Sequence, residues 1–139
     1  MGRLLAIDYG QKRCGIAVTD ALQIIATGLK TVSTTELMDF LKQYVQKEQV
    51  DAFVIGHAKH LNATDSESMQ YIKPFVQKLA KDFPDKPIEM VDERFTSKIA
   101  FQTMIDGGLK KKQRQDKALI DTISATIILQ SYMEQKQQK

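Results

Sequence analysis

Five short apolar runs constrain the fold of this 139-residue chain more than any other feature of its sequence. Three lie close together near the amino terminus and two follow later, at residues 4–7, 14–18, 24–28, 52–56 and 87–91. Short continuous apolar runs are typical of buried strands. The first three are close enough for an antiparallel meander, whereas strands joined by helices must pair in parallel. The pattern therefore predicts a mixed five-stranded sheet.

Four further segments carry apolar residues at helical spacing. The first begins at a cap supplied by Thr34 or Thr35, and the others span about 65–82, 97–105 and 116–135. Pro74 inside the second permits a kink. The element order is βββαβαβαα, an α/β fold in which helices cover both faces of the sheet. The polar tail at 134–139 is expected to fray.

Composition narrows the class of protein. The length fits one domain over residues 1–139, and the 42% hydrophobic content argues against disorder. No apolar run approaches the ~20 residues of a membrane helix, and Asp8 interrupts the amino-terminal run before a signal peptide could form. The only cysteine, Cys14, excludes an internal disulfide and a multi-cysteine zinc site, and we interpret it as a packing residue. The expectation is a soluble, cytoplasmic, single-domain protein.

Charge is distributed unevenly along the chain, although the net charge is only +3. Residues 1–70 carry 7 Lys and Arg against 8 Asp and Glu, whereas residues 71–139 carry 13 against 9. Much of the excess lies in Lys110, Lys111, Lys112, Arg114 and Lys117. Such a run is either a solvated loop or a surface for phosphate groups.

Asp8 ends the first predicted strand. A carboxylate at the carboxyl end of a strand points toward the crevice where open α/β sheets bind ligands, and Gly10 permits a tight turn beyond it. Lys12 and Arg13 place positive charge nearby, which suits phosphate oxygens. The alternative is that Asp8 caps a turn and the two basic residues only make a hairpin soluble.

Asp92, Glu93 and Arg94 follow the fifth predicted strand directly, and Thr96 or Ser97 can cap the next helix. This position is again the carboxyl end of a strand. The alternative is a local ion pair between Arg94 and one of the acids, which stabilises little when exposed.

Asp121 interrupts an otherwise apolar stretch at 118–128. At helical spacing its neighbours are Ser124, Ala125 and Ile128, a small face of the kind that packs on a sheet. A carboxylate there must be paired or bound to a metal, because burial of a lone charge is costly. A position at the rim of the core, or a buried hydrogen bond, is the alternative.

Asp8, Glu93 and Asp121 thus form a candidate set of three carboxylates. Oxygen ligands of this kind suit Mg²⁺, or Mn²⁺ in its place, and two such ions can cleave a phosphodiester. Zinc does not fit, because His57 and His60 have no cysteine partner. These two histidines contact a phosphate or a base, or are incidental loop residues.

The residues resemble the YqgF-type, RuvX-like family, which is associated with Holliday junction resolution and with maturation of the pre-16S rRNA 5′ end. The resemblance rests on residues 5–10, 12–13, 15–18, 54–56, 91–97 and 117–125. It implies an RNase H-like fold, metal-dependent cleavage of structured nucleic acid, and Asp8, Glu93 and Asp121 as the catalytic and metal-binding acids. One departure is Gly56-His57-Ala58, where the family usually has Gly-Leu-Pro.

The leading hypothesis is a nuclease that acts on a ribosomal RNA precursor. The alternatives are a DNA junction resolvase, a catalytically silent RNA-binding assembly factor, and an actin-like ATPase lobe, for which the chain is too short. We expect a nucleic-acid partner, no membrane, and a monomer or weak homodimer. The expected phosphate-binding residues are Lys12, Arg13, Arg94, Lys110, Lys111, Lys112 and Arg114.

Overall fold

The computed structural model describes residues 2–10, 12–57, 69–92 and 117–137. The strands are β1 Arg3–Asp8, β2 Arg13–Thr19, β3 Ala26–Ser33, β4 Val50–His57 and β5 Ile88–Asp92. The helices are α1 Leu37–Lys47, which follows a 3-10 turn at Thr34–Glu36, α2 Met69–Asp82 and α3 Lys117–Gln137. The predicted helix at 97–105, His60, Glu93, Arg94 and the basic segment 110–114 lie outside the described residues.

The sheet has the order β3-β2-β1-β4-β5. β1 pairs antiparallel with β2, and β2 pairs antiparallel with β3. β4 pairs in parallel with both β1 and β5. The predicted mixed sheet, with a meander followed by parallel strands, is therefore confirmed.

Helices cover both faces of the sheet, as expected. Leu5 and Ile7 of β1 belong to the buried cluster formed with α1 and α2, whereas Leu4 and Ala6 belong to the cluster formed with α3. This division follows from the alternation of side chains along a strand. Full burial of a large aliphatic side chain contributes about 1.5–3 kcal/mol, so both clusters stabilise the fold.

The third strand differs from its prediction. β3 spans Ala26–Ser33 instead of 24–28, and Ile24 and Ile25 are 63% and 64% exposed. Their backbone amides donate to the carboxylate of Asp20, at 2.7 and 2.9 Å, so they belong to a turn. β3 is an edge strand whose extent is set by its pairing with β2, and an edge strand needs no buried apolar run.

The predicted cap of the first helix was wrong. Neither flanking residue of the 3-10 turn or of α1 makes a side-chain capping bond. The Thr34 hydroxyl instead donates to the Gly10 carbonyl at 2.7 Å. A threonine at this position serves a long-range contact rather than the helix that follows it.

Where they are described, α2 and α3 agree with the pattern except at the carboxyl end of α3. Pro74 lies inside α2, where it cannot donate a backbone hydrogen bond. α3 extends to Gln137, so residues 134–137 are helical where the composition predicts fraying, and Tyr132 and Met133 pack on the core just before them. No helix in the described part of the chain is long and apolar enough to cross a membrane.

Candidate functional site

Asp8, the last residue of β1, lies between two glycines in the sheet. It pairs with Gly15 of β2 and with Gly56 of β4. Gly15 pairs in turn with Thr31 of β3, and Gly56 pairs with Val91 of β5. We call these five residues the Asp8 row. Neither direct neighbour of Asp8 in the row therefore has a side chain beside its carboxylate.

The Asp8 row faces α3. Leu4 and Ala6 pack in the α3 cluster, and the alternation of β1 places Asp8 on the same face. The side chain of Asp8 is half-buried. Its carboxylate is therefore at the carboxyl edge of two parallel strands, the position predicted from the sequence for a ligand crevice.

α3 meets this row near its own amino-terminal end. The Thr122 hydroxyl lies 2.9 Å from the Thr31 hydroxyl, which belongs to the Asp8 row. Asp121 directly precedes Thr122, and Ala125, one turn later, is fully buried in the cluster that contains Ala6. The helical period places Asp121 on the stripe of Ala125, one turn closer to the Asp8 row.

The three predicted acids are thus described to different extents. Asp8 has both backbone and side chain described, whereas Asp121 has only its helical backbone described. β5 ends at Asp92, which pairs with His57 one position beyond the Asp8 row, and Glu93 follows outside the described residues. The structure therefore brings Asp8 and the backbone of Asp121 to one edge of the sheet.

The donor chemistry of this edge suits a hard cation. The half-buried Asp8 carboxylate offers oxygen atoms beside two glycines, which fits Mg²⁺ or Mn²⁺. Among the side chains that are described, no three His, Cys, Asp or Glu form a metal-binding group. That set lacks Glu93 and the Asp121 carboxylate, so the predicted three-acid site stays a prediction.

The turn after Asp8 is held by contacts that the sequence does not reveal. The Tyr9 ring stacks on Phe75 of α2, with centroids 4.6 Å apart. Burial, and then the nearby Cys14, raise the pKa of Tyr9. The Gly10 carbonyl accepts the Thr34 hydroxyl, and a Cβ on Gly10 would lie 2.5 Å from the Arg13 carbonyl oxygen. These contacts fix the backbone that follows Asp8.

The two basic residues beyond this turn lie close to the row. Arg13 begins β2 two residues before Gly15, so alternation places it on the α3 face, one step beyond Asp8. Arg13 is half-buried and Lys12 is exposed. The Lys12 carbonyl accepts the Thr34 amide at 3.0 Å. Arg13 is therefore on the face of the candidate crevice, and the backbone of Lys12 lies in the turn that precedes it.

The match of nearly the whole sequence to one family model identifies the family of this chain. The sequence model of RuvX, described as “Holliday junction resolvase”, matches residues 2–135. The chain belongs to the RuvX family. This match confirms the family expected from the residue patterns. The missing proline of the RuvX-like pattern concerns position 58, outside the described residues, and β4 continues through His57.

Relatives of this RuvX-family chain share most of its sequence. A protein of Phocaeicola vulgatus named “Putative pre-16S rRNA nuclease” is 62% identical over 136 residues, which cover 98% of each chain. A protein of Bacteroides fragilis with the same name is 60% identical and is covered over 99% of its length.

Two solved structures resemble the RuvX-family chain in fold. RuvC of T. thermophilus in complex with a Holliday junction substrate has a TM-score of 0.61 at 14% identity, covering 99% of this chain and 96% of that one. The Fowlpox virus resolvase in complex with Holliday junction DNA has a TM-score of 0.60 at 12% identity, covering 96% and 98%. At these identities the likeness shows the fold alone, and it confirms the expected RNase H-like arrangement.

Proposed function

We propose that this chain is a divalent-metal-dependent nuclease that processes the 5′ end of pre-16S rRNA. The observation that carries the proposal is the Asp8 row, in which a half-buried carboxylate lies between Gly15 and Gly56 below the amino-terminal end of α3. The names of relatives at about 60% identity support the rRNA precursor as substrate. Its place of action would be the cytoplasm, as a monomer or weak homodimer.

Asp8, Glu93 and Asp121 would hold the divalent metal, which in this kind of site binds as a pair of ions. When bound, such a pair supplies an activated water and stabilises the leaving oxygen of a phosphodiester. Arg13 and Lys12 would orient the scissile phosphate, because their charges follow the Asp8 turn directly. The contacts of Tyr9 and Gly10 would keep the Asp8 carboxylate in place during turnover.

The other basic residues would bind the flanking backbone rather than the reacting phosphate. These basic residues are Arg94, Lys110, Lys111, Lys112 and Arg114. Changing the last four together to Gln should weaken binding alike for all sequences and flatten its salt dependence, because the slope follows the number of phosphates neutralised. Metal binding should be unchanged. If the salt dependence of binding were unchanged, this segment would be interpreted as a solvated loop that binds no phosphate.

Cleavage of a labelled pre-16S rRNA 5′ fragment tests the main proposal. Product should form with Mg²⁺ or Mn²⁺ and disappear with chelator, and Asp8→Asn should eliminate it. Asp39→Asn is the matched control, because Asp39 is an exposed acid on α1 at the opposite face of the sheet. Binding of the RNA without cleavage under any metal would instead favour an RNA-binding assembly factor.

A Holliday junction resolvase is the second candidate. It is favoured by the description of the family model, “Holliday junction resolvase”. The same assay with a labelled four-way DNA junction separates the two, because both substrates present the same phosphodiester but different shapes. Preferential cleavage of the DNA junction would replace the rRNA precursor as the proposed substrate.

A further inference from the structure

A side-chain hydrogen bond joins the edge strand β3 to α3 across a separation of 91 residues. It links the hydroxyls of Thr31 and Thr122 at 2.9 Å, and both side chains are half-buried. The nearby Thr126 hydroxyl donates to the Thr122 carbonyl of its own helix instead, at 2.9 Å. The Thr31–Thr122 contact is thus a directional tie between this strand and this helix.

Gly28 brings the two elements close together. A Cβ at Gly28 would collide with Thr122 Cγ2 and would lie 3.2 Å from Thr126 Oγ1. α3 therefore rests on the backbone of β3 at this position. The same residue of the helix, Thr122, meets β3 both through its methyl group, at Gly28, and through its hydroxyl, at Thr31.

Apolar side chains supply another part of the α3 interface. Ala125, Ile128 and Leu129 share a buried cluster with Leu4, Val54 and Val91 and with the small residues Ala6, Ala17 and Ala52. Contact between apolar surfaces is not directional, so it resists separation of the helix from the sheet more than sliding along it. A hydrogen bond has a narrow range of length and angle, and it therefore fixes the helix along its axis.

We propose that Thr31 and Gly28 are positioning residues for Asp121: together they set the position of α3 on the sheet so that Asp121 meets the Asp8 row. Thr31 belongs to that row, and its partner Thr122 is the residue after Asp121. A slip of one residue along the helix axis would move Asp121 by about 1.5 Å. The inference rests on the proposed metal-dependent nuclease.

Thr31→Val removes the hydroxyl while keeping the shape, and Thr31→Ser keeps the hydroxyl. Mg²⁺ and Mn²⁺ affinity, measured by calorimetry, should fall on the order of 10–100-fold in Thr31→Val, as is typical for groups that orient metal ligands. The kcat should fall with little change in KM for the RNA. Thr31→Ser should restore both. Thr27→Val, an exposed position on the same strand, should match wild type.

A second pair of variants tests the same positioning by steric means. Gly28→Ala should lower metal affinity because its Cβ meets Thr122 Cγ2. Combination with Thr122→Ser, which removes that methyl group and keeps the hydroxyl, should restore the affinity. Recovery in the double variant separates displacement of α3 from general loss of folding.

Wild-type metal affinity in folded Thr31→Val, or failure of both Thr31→Ser and the double variant to recover, would overturn the positioning role. A lower melting temperature with an unchanged metal-induced shift would also overturn it, because that result describes a purely structural contact. The proposed function fails separately: a wild-type protein that binds metal but cleaves no substrate leaves the affinity comparison intact.

Discussion

The two faces of the sheet are built from side chains of different size. The face under α1 and α2 carries Leu5, Ile7, Ile16, Phe53 and Ile55, whereas the face under α3 combines Leu4, Val54 and Val91 with the small residues Ala6, Ala17, Ala52 and, at its carboxyl edge, Gly15 and Gly56. Large side chains maximise buried apolar area on the first face. Small ones let α3 approach on the second, and the two glycines place no side chain beside Asp8. Both faces therefore bury apolar side chains, and the α3 face also carries the proposed metal site.

The largest expected effect is on cleavage, from changes to the proposed site on the α3 face. Asp8→Asn, Glu93→Gln and Asp121→Asn should each abolish cleavage with the fold intact, because each removes a carboxylate of the proposed metal site. Without metal, converging carboxylates repel one another, so Asp121→Asn should melt slightly above metal-free wild type. Cleavage assays and circular dichroism measure both. Normal turnover with normal metal affinity in any variant would remove that residue from the site.

The acids and the glycines of this face differ in how far the sequence predicts them. Asp8 is found because an acid ends a continuous apolar run, a pattern readable within ten residues. The neighbours Gly15 and Gly56 matter through strand register, which the sequence does not state. Thr31 and Thr122 are ordinary hydroxyl residues 91 positions apart, and no local pattern connects them.

The difference between local pattern and strand pairing also explains why the third strand was predicted at the wrong residues. The three central strands β1, β2 and β4 carry apolar runs because both of their faces are covered, so composition alone indicates them. β3 has one neighbour and exposes Thr27, Gly28, Leu29 and Lys30, and its limits follow from pairing with β2. Ile24 and Ile25 looked like strand residues, but the carboxylate of Asp20 holds their amides in a turn.

On the α1–α2 face, Phe53→Ala should lower the free energy of unfolding by about 3–5 kcal/mol. Phe53 is 0% exposed, and the centroid of its ring lies 5.2 Å from the centroid of the Phe83 ring. Its removal therefore leaves a large cavity. Urea denaturation measures the loss. Metal affinity of the folded protein should stay at the wild-type value, and Phe53→Leu offers a milder variant for that titration. A large drop in its affinity would contradict the division between faces.

Adjacent residues of β2 offer a sharper comparison. Ala17→Val adds volume under α3 and should cost about 1–3 kcal/mol by overpacking, with a loss of metal affinity as the helix is displaced. Ile16→Val, one residue earlier and on the opposite face, should cost about 0.5–1.5 kcal/mol without affecting metal binding. Denaturation and metal titration of both variants decide the point. Equal metal affinities would show that α3 tolerates displacement.

The smallest expected effect is on thermal stability and comes from Asp20, at the end of the sheet away from the Asp8 row. The amides of Ile25 and Ile24, followed by weaker contacts, hold the pKa of Asp20 below its ordinary value. A carboxyl group whose pKa is lower in the folded state than in the unfolded state stabilises the fold above its unfolded pKa of about 3.9. That contribution disappears as the pH falls through the folded pKa.

Asp20→Asn should therefore melt below wild type at pH 7, and the difference should narrow as the pH is lowered below about 4. Thermal melts of both proteins across that range measure it. A constant difference would mean that Asp20 acts through the shape of the turn rather than its charge. Metal affinity at pH 7 should be the same in both proteins, because Asp20 follows Thr19, which pairs with Ala26 at the end of β3 farthest from Thr31. A change in affinity would show that this turn also influences how α3 rests on the sheet.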